Sequence, residues 1–213
     1  MPNVANPTNL KKATQHLSAN DRVMARLIKA FGPCDIKPHT NYYQEIVDSI
    51  IGQQLSVKAA ATIRNRFYAL FGKDKLPNPE QIISKSVEDI RTAGLSNAKA
   101  NYVQDLARHI LDGKLEFDSI DNMSNEEVAA KLIAVKGIGE WTAHMFMMFA
   151  MGRLDILPVG DLGIKNGMMK LYNLKTQPTA DDIRNLATKN SWHPYESVAS
   201  WYVWQSLDNS PRT

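Results

Sequence analysis

The 213-residue sequence contains a single cysteine, Cys34. One cysteine cannot form a disulfide within the chain, and it cannot supply the several thiolates that hold an iron–sulfur cluster. His144 and His193 do not stand at metal-ligand spacing from any other histidine or from Cys34. The sequence therefore predicts no internal disulfide, no cysteine-ligated cluster and no zinc centre.

Long apolar runs are also missing. No segment is apolar enough over a sufficient length to span a bilayer, and the polar start M-P-N-V-A-N lacks the features of a secretory signal. We expect an intracellular protein without a membrane partner, in the nucleus if eukaryotic and in the cytoplasm if prokaryotic. The net charge of +3 is compatible with nucleic-acid binding, although an ordinary solvated surface gives the same balance.

The sequence has no alternation typical of strands, no low-complexity segment and no internal repeat. Apolar residues recur at helical spacing instead, and the predicted fold class is all-α. Residues 1–18 are polar and contain Pro2 and Pro7, which predicts an arm. Capping residues and breakers predict helices at 21–31, 42–51, 56–71, 80–85, 87–92, 97–111, 126–135, 140–151, 161–171, 180–189 and 197–207.

Two of these helices flank the tetrapeptide Lys136-Gly-Ile-Gly139. Ser124 begins a capping box before the first helix, and the second begins near Glu140. Glycine amides beside a helix N-terminus form a natural site for a phosphate group. The bare glycine pattern alone is more typical of an ordinary helix–turn–helix in a core.

The segment around this turn reads V-K-G-I-G-x-W-T-A and is followed by an apolar helix and D-x-L-P-x-x-D-L-G. Three further segments are I-I-G-Q-Q-L-S (50–56), A-G-L-S-N-A-K (93–99) and W-H-P-Y…W-Y-V-W (192–204). In this order the segments resemble the helix–hairpin–helix–GPD superfamily of DNA base-excision glycosylases over roughly residues 40–206. Within it the chain is most similar to the alkylpurine branch, the 3-methyladenine DNA glycosylase II type.

The resemblance implies two helical lobes with a cleft between them and the helix–hairpin–helix motif at its mouth. We expect lobe one at about 41–154 and lobe two at about 19–40 plus 155–210, which together make up the fold at 19–210. The N-terminal β-domain of some bacterial relatives has no place in this length. We expect a monomer whose partner is double-stranded DNA with alkylated bases or abasic sites.

Asp161 is the predicted catalytic residue, because the family places an aspartate at the start of the helix that follows the hairpin. A carboxylate there stabilises the positive charge that develops on deoxyribose and orients or deprotonates the attacking water. Asp161 could also act only as a helix N-cap, and the two roles are compatible. Asp155 is the competing carboxylate and is interpreted as structural.

The resemblance places Trp141, Met145 and Trp204 in the base pocket, where aromatic faces stack on an electron-poor base. Related lyases have a lysine at the position of Trp141, and tryptophan cannot form a Schiff base, so we expect hydrolysis alone. Met145 stands where bacterial relatives have a tyrosine, and Gly160 replaces a residue that is often polar. The pocket is therefore less aromatic than that of the bacterial enzymes.

DNA contacts are also implied. Gln54 is expected to fill the gap left by the flipped nucleotide, with Gln53 and Ser56 facing the minor groove. Phosphate binding is expected from four residues of the hairpin: Lys136, Gly137, Gly139 and Thr142. No cofactor is required, although Na⁺ or K⁺ could bind the carbonyl oxygens of Ile133, Val135 and Ile138.

The predicted function is that of a monofunctional DNA repair glycosylase that hydrolyses the N-glycosidic bond of alkylated purines after base flipping. One alternative is a catalytically weak or inactive homologue that binds abasic or distorted DNA, because the departures fall in the pocket and not in the DNA-gripping segments. Another is an architectural helix–hairpin–helix module, which would not need Asp161, Gln54 and Trp204 at their positions.

Overall fold

The computed structural model describes residues 3–72 and 75–208. Across these ranges the regular structure is helical, with one isolated β-bridge between Val4 and Arg153 and no strand. The all-α prediction is confirmed. The helices of the described ranges are α1 (Pro7–Asn20), α2 (Arg22–Phe31), α3 (Tyr42–Gly52), α4 (Val57–Ala69), α5 (Pro79–Ser84), α6 (Val87–Arg91), α7 (Asn97–Leu111), α8 (Asn125–Ile133), α9 (Glu140–Met145), α10 (Leu162–Leu171), α11 (Ala180–Lys189) and α12 (Glu196–Asp208). In the part of the chain that the structure describes, no helix combines the length and apolarity needed to cross a bilayer.

Most helix starts coincide with the capping residues that the sequence shows. The Ser96 side chain accepts the Lys99 N–H at the start of α7, and Ser124 forms a reciprocal capping box with Glu127 at the start of α8. Because a cap satisfies backbone donors that the first turn leaves open, it determines where the helix begins. Helices α7 and α11 have the predicted bounds.

The prediction of a polar arm is wrong from Pro7 onward, because this segment is helix α1. The Asn6 side chain accepts the Asn9 N–H at 2.8 Å and caps it, and proline suits the first turn. Ala13 and Leu17, four residues apart, are fully buried. The polar residues are the exposed face of a packed helix.

The second helix of the hairpin motif also differs from the prediction. It is α-helical only over Glu140–Met145 and continues as a π-helical segment at Phe146–Ala150. Such π segments are frequent near functional sites. All five residues of Phe146–Ala150 are apolar, so the spacing of apolar residues cannot distinguish a π turn from an α turn here.

The chain divides into two compact units. Unit 1 contains the residues up to 39 and those from 147 onward, and unit 2 contains residues 40–146. Unit 1 is thus discontinuous in sequence. The segment 147–154, which the sequence assigns to lobe one, belongs to unit 1, and so does α1.

A buried carboxylate organises unit 1. Asp21 is 2% exposed and caps α2, with Oδ1 accepting the Val23 and Met24 N–H groups at 2.7 and 3.3 Å. Its Oδ2 accepts the Tyr172 hydroxyl and, at 2.9 Å, the Trp192 indole N–H. These bonds satisfy a charge that would otherwise be costly to bury, and they tie α2 to the end of α10 and to the segment before α12.

Helix α7 is the central support of unit 2. It packs against α3, α5 and α6, while α8 packs against α9. Its buried apolar residues Ala100, Val103, Leu106 and Ala107 recur at helical spacing. Other side chains of α7 contact the turn between α3 and α4 and the turn between α8 and α9.

Candidate active site and nucleic-acid interface

In unit 1, Asp161 stands directly before α10. Its Oδ1 accepts the Ile164 N–H at 2.8 Å and the Trp204 indole N–H at 2.9 Å. The residue is partly exposed, and the preceding Gly160 is exposed. The N-cap role is therefore observed, and the carboxylate is held from two sides at the surface of the unit.

Trp204 comes from α12 and packs beside Phe149, with ring centroids 6.0 Å apart. Gly163 lies against both functional groups. A Cβ added there would stand 3.0 Å from Asp161 Oδ1 and 3.0 Å from Trp204 Cδ1 and Nε1. The sequence reasoning did not single out Gly163; the signal was the glycine that follows the aspartate in D-L-G.

Asp155, the competing carboxylate, has a different environment. Its Oδ1 is buried without a hydrogen-bond partner among the described residues.

The hairpin of unit 2 connects α8 to α9. The Ile138 N–H donates to the Val135 carbonyl at 3.1 Å and closes the turn. Gly137 has φ +83°, and a Cβ there would lie 2.1 Å from Cδ2 of the Tyr102 ring, so only glycine fits. Gly139 caps α9 without a side chain, and a Cβ at this position would meet nothing within 4 Å. The space beside the Gly139 Cα is therefore open.

Asp105 of α7 fixes the start of this hairpin. Its Oδ2 accepts the Lys136 backbone N–H at 2.9 Å, and its Oδ1 is 3.8 Å from Lys136 Nζ. The Lys136 side chain remains 75% exposed, so its charge faces solvent. Asp105 and Tyr102 were missed from the sequence, because their contacts join segments that are about 30 residues apart.

The other predicted residues of this motif differ in exposure. Trp141 is 53% exposed, and Met145 is partly buried. Thr142 is 7% exposed, which leaves little of it available to a phosphate. His144 is partly buried, and desolvation lowers its pKa although Glu140 opposes this effect.

The turn between α3 and α4 presents Gln54. This residue is exposed and has φ +57°, a left-handed conformation that costs a glutamine about 1–2 kcal/mol. Ser56 caps α4 by accepting the Ala59 N–H at 3.3 Å. Leu55 and Val57, 37% and 89% exposed, place apolar surface beside Gln54.

Gln53 joins this turn to the hairpin, because its Nε2 donates to the Gly137 carbonyl at 2.8 Å. The amide group thus has a structural partner that the predicted minor-groove role did not include. The Gln53–Gly137 bond brings two of the predicted DNA-contact segments together within unit 2.

The carbonyls predicted to hold a monovalent cation lie at the end of α8 and in the hairpin. Ile133 is the last residue of α8, where helix carbonyls lack intrahelical partners. The Val135 carbonyl accepts one N–H, which leaves a second lone pair for a ligand. Oxygen donors of this kind fit Na⁺ or K⁺. In the described ranges, no group of three His, Cys, Asp or Glu residues could hold a metal ion.

A helix–hairpin–helix motif with a glycine turn, followed by an aspartate that caps the next long helix, defines a class of DNA repair proteins. The chain belongs to the HhH-GPD superfamily of base excision DNA repair proteins, whose model matches residues 47–192. It is 33% identical over 202 residues to the alkylbase DNA glycosidase-like protein mag2 of Schizosaccharomyces pombe, covering 93% of this chain and 94% of that protein.

Two solved structures are similar over nearly the whole chain. A DNA-3-methyladenine glycosidase from Bacillus halodurans has a TM-score of 0.83 at 37% identity and covers 92% of this chain and 89% of its own. The 3-methyladenine DNA glycosylase Mag1 of Schizosaccharomyces pombe, in complex with abasic DNA, has a TM-score of 0.80 at 31% identity, with 95% and 99% covered.

Proposed function

We propose that this protein is a monofunctional DNA glycosylase that hydrolyses the N-glycosidic bond of alkylated purines of the 3-methyladenine type. The observation that carries the proposal is the Asp161 carboxylate, held at the start of α10 by the Ile164 N–H and the Trp204 indole. The names of the relatives support the same substrate class.

The chemistry follows from the charge of the substrate. A ring-alkylated purine is cationic, so when its bond to C1′ breaks, the electron pair of that bond neutralises the departing base. Positive charge then develops on the sugar, and Asp161 stabilises it. Water attacks C1′, and its proton passes to the Asp161 carboxylate or to solvent.

Trp141 and Trp204 provide aromatic faces for an electron-deficient base. Neither can form a Schiff base with the sugar, so the product is an intact abasic site. Lys136 and the amides of Gly137 and Gly139 bind a DNA phosphate, and Gln54 enters the space that the flipped nucleotide leaves. A Na⁺ or K⁺ ion on the carbonyls of the hairpin would add positive charge near that phosphate.

The partner in this proposal is double-stranded DNA, bound by a monomer in the compartment that holds the DNA. The proposal requires no cofactor, and excision is expected to be insensitive to chelators of divalent metals.

A second candidate is a homologue that retains DNA binding but has little or no excision activity. Met145 favours it, because a thioether replaces an aromatic ring at a position where the family contacts the base. In this case the protein would bind abasic-site DNA as its end point.

The test is release of 3-methyladenine from methylated duplex DNA, measured beside binding to a duplex with a tetrahydrofuran abasic analogue. The control is Asp161→Asn, which keeps an oxygen for the Ile164 N–H and the Trp204 indole. Release that falls by about 10²-fold or more in Asp161→Asn supports the glycosylase. Absence of release together with tight binding to the analogue supports the second candidate.

A further inference from the structure

Lys99 of α7 binds the end of a different helix. Its Nζ donates to the Ile51 carbonyl at 2.9 Å and to the Gln53 carbonyl at 2.6 Å. These carbonyls belong to the last turn and the C-cap of α3, where helix carbonyls lack partners and a positive charge is favourable. The lysine therefore fixes the backbone directly before Gln54.

The same backbone segment has a second tether. The Gln53 side chain donates to the Gly137 carbonyl at 2.8 Å, and Gly137 is seated on the Tyr102 ring. Lys99 and Tyr102, three residues apart, lie on neighbouring turns of α7. One helix thus supports both the turn that presents Gln54 and the hairpin that presents its glycine amides.

Gln54 needs such support because its left-handed conformation, φ +57°, is not one that glutamine prefers. The following Leu55 N–H donates to the Gly52 carbonyl at 3.1 Å and closes the turn locally. Lys99 and the Gln53 side chain add restraints from outside the turn. Partial burial of Lys99 lowers its pKa, as expected for an ammonium group turned toward carbonyls and away from water.

We propose that Lys99 is a positioning residue for DNA recognition. By holding the carbonyls of Ile51 and Gln53, it keeps Gln54 in the conformation that enters the gap in the duplex. The Gln53–Gly137 bond keeps the Gln54 side chain at a fixed distance from the phosphate bound by the hairpin. This inference rests on the proposed function, because it assigns Lys99 a part in the same DNA-binding surface.

The test compares Lys99→Met, which removes both hydrogen bonds and keeps the apolar stem, with Gln54→Ala and the double variant. Affinities are measured for a duplex with the tetrahydrofuran analogue and for the undamaged duplex. Insertion is followed by the fluorescence of 2-aminopurine placed opposite the analogue, which rises when the base is unstacked. Lys114→Met is the matched control. The exposed Lys114 side chain pairs with Asp112, and Lys131 donates to the Lys114 backbone carbonyl, which the substitution leaves in place.

Lys99→Met is expected to lower the preference for the abasic duplex about tenfold, close to the loss in Gln54→Ala. The double variant should lose no more than either single variant, because Lys99 acts through Gln54. Lys99→Arg, which keeps charge and donors, should restore most of the preference and of the fluorescence change. Lys114→Met should match the wild type in both measurements.

Thermal unfolding of each variant separates positioning from loss of fold. If Lys99→Met is unfolded at the assay temperature, Lys99→Gln takes its place with the same expected loss. Additive losses in the double variant, or wild-type preference in Lys99→Met while Gln54→Ala loses it, would overturn this inference and leave the proposed function intact. A wild-type protein without preference for abasic DNA and without excision would overturn both.

Discussion

The indole N–H of Trp204 donates to the Asp161 carboxylate at 2.9 Å and joins the last helix, α12, to the N-terminus of α10. The same oxygen accepts the Ile164 N–H at 2.8 Å. The sequence predicted Trp204 as a wall of the base pocket. In the structure its indole N–H orients the carboxylate that is predicted to be catalytic.

Trp204→Phe should lower the single-turnover excision rate about tenfold, because it removes the indole donor but keeps an aromatic ring. The folding midpoint should change little, since the ring still packs beside Phe149. Trp201→Phe, three residues earlier in α12, is the matched control for shortening a tryptophan. Equal rates for the two variants would contradict a role for the Trp204–Asp161 bond.

Gly163→Ala should reduce excision as well, because its methyl group would approach Asp161 Oδ1 and the Trp204 ring at 3.0 Å and displace one of them. We expect the excision rate to fall about tenfold or more while DNA affinity is retained, because catalysis is sensitive to small misplacements of the reacting groups. Gly160→Ala is the control, because a Cβ there meets nothing within 4 Å. If both alanine variants retain full activity, the close packing at Gly163 has no functional weight.

Gly139→Asp should weaken binding to abasic and undamaged duplexes alike, by about tenfold, since it places a negative charge where a phosphate is expected to bind. Gly139→Ala should bind like the wild type, because an added Cβ at this position meets nothing within 4 Å. Fluorescence anisotropy at several salt concentrations measures both variants. Loss confined to the abasic duplex would contradict phosphate binding at this residue.

Cys34 should resist alkylation in the folded protein. Burial raises the pKa of its thiol to about 12, so at pH 8 the thiolate fraction is roughly a thousandfold below that of a free cysteine. Because the pKa of Cys34 in the folded protein lies above its ordinary value of 9.0, its protonated thiol makes its full contribution to the free energy of unfolding below pH 9.0. That contribution is lost as the pH rises from 9.0 through the folded value. The measurement is the rate of iodoacetamide labelling of Cys34 in the native protein and in urea. Rapid labelling of the native protein would refute the prediction.

The sequence predicted those parts of the fold that depend on neighbouring residues. Ser96 and Ser124 marked the starts of α7 and α8 because capping is local. Helix α1 was missed because only a few of its residues are apolar, and its helical state depends on burial of Ala13 and Leu17 against α2 and α12. Tertiary packing decided that segment, not its composition.

The local geometry of the candidate site followed from the sequence, and its long-range contacts did not. Motif order pointed to Asp161, Gln54 and the glycines of the hairpin, and their local geometry agrees with the turns expected of them. Lys99 and Asp105 were not assigned these roles. Their partners lie 46 and 31 residues away along the chain, and no local pattern indicates such contacts.

The discontinuity of unit 1 has a consequence for biosynthesis. Residues 40–146 form a continuous unit that can fold while the ribosome is still translating, whereas the first 39 residues must wait for α10 and α12. Asp21 is one example, since Trp192, a donor to its carboxylate, is made 171 residues later. A nascent chain is thus expected to complete the α3–α4 turn and the hairpin before Asp161 acquires its Trp204 partner, so a product interrupted before α12 would lack the hydrogen bond that orients this carboxylate.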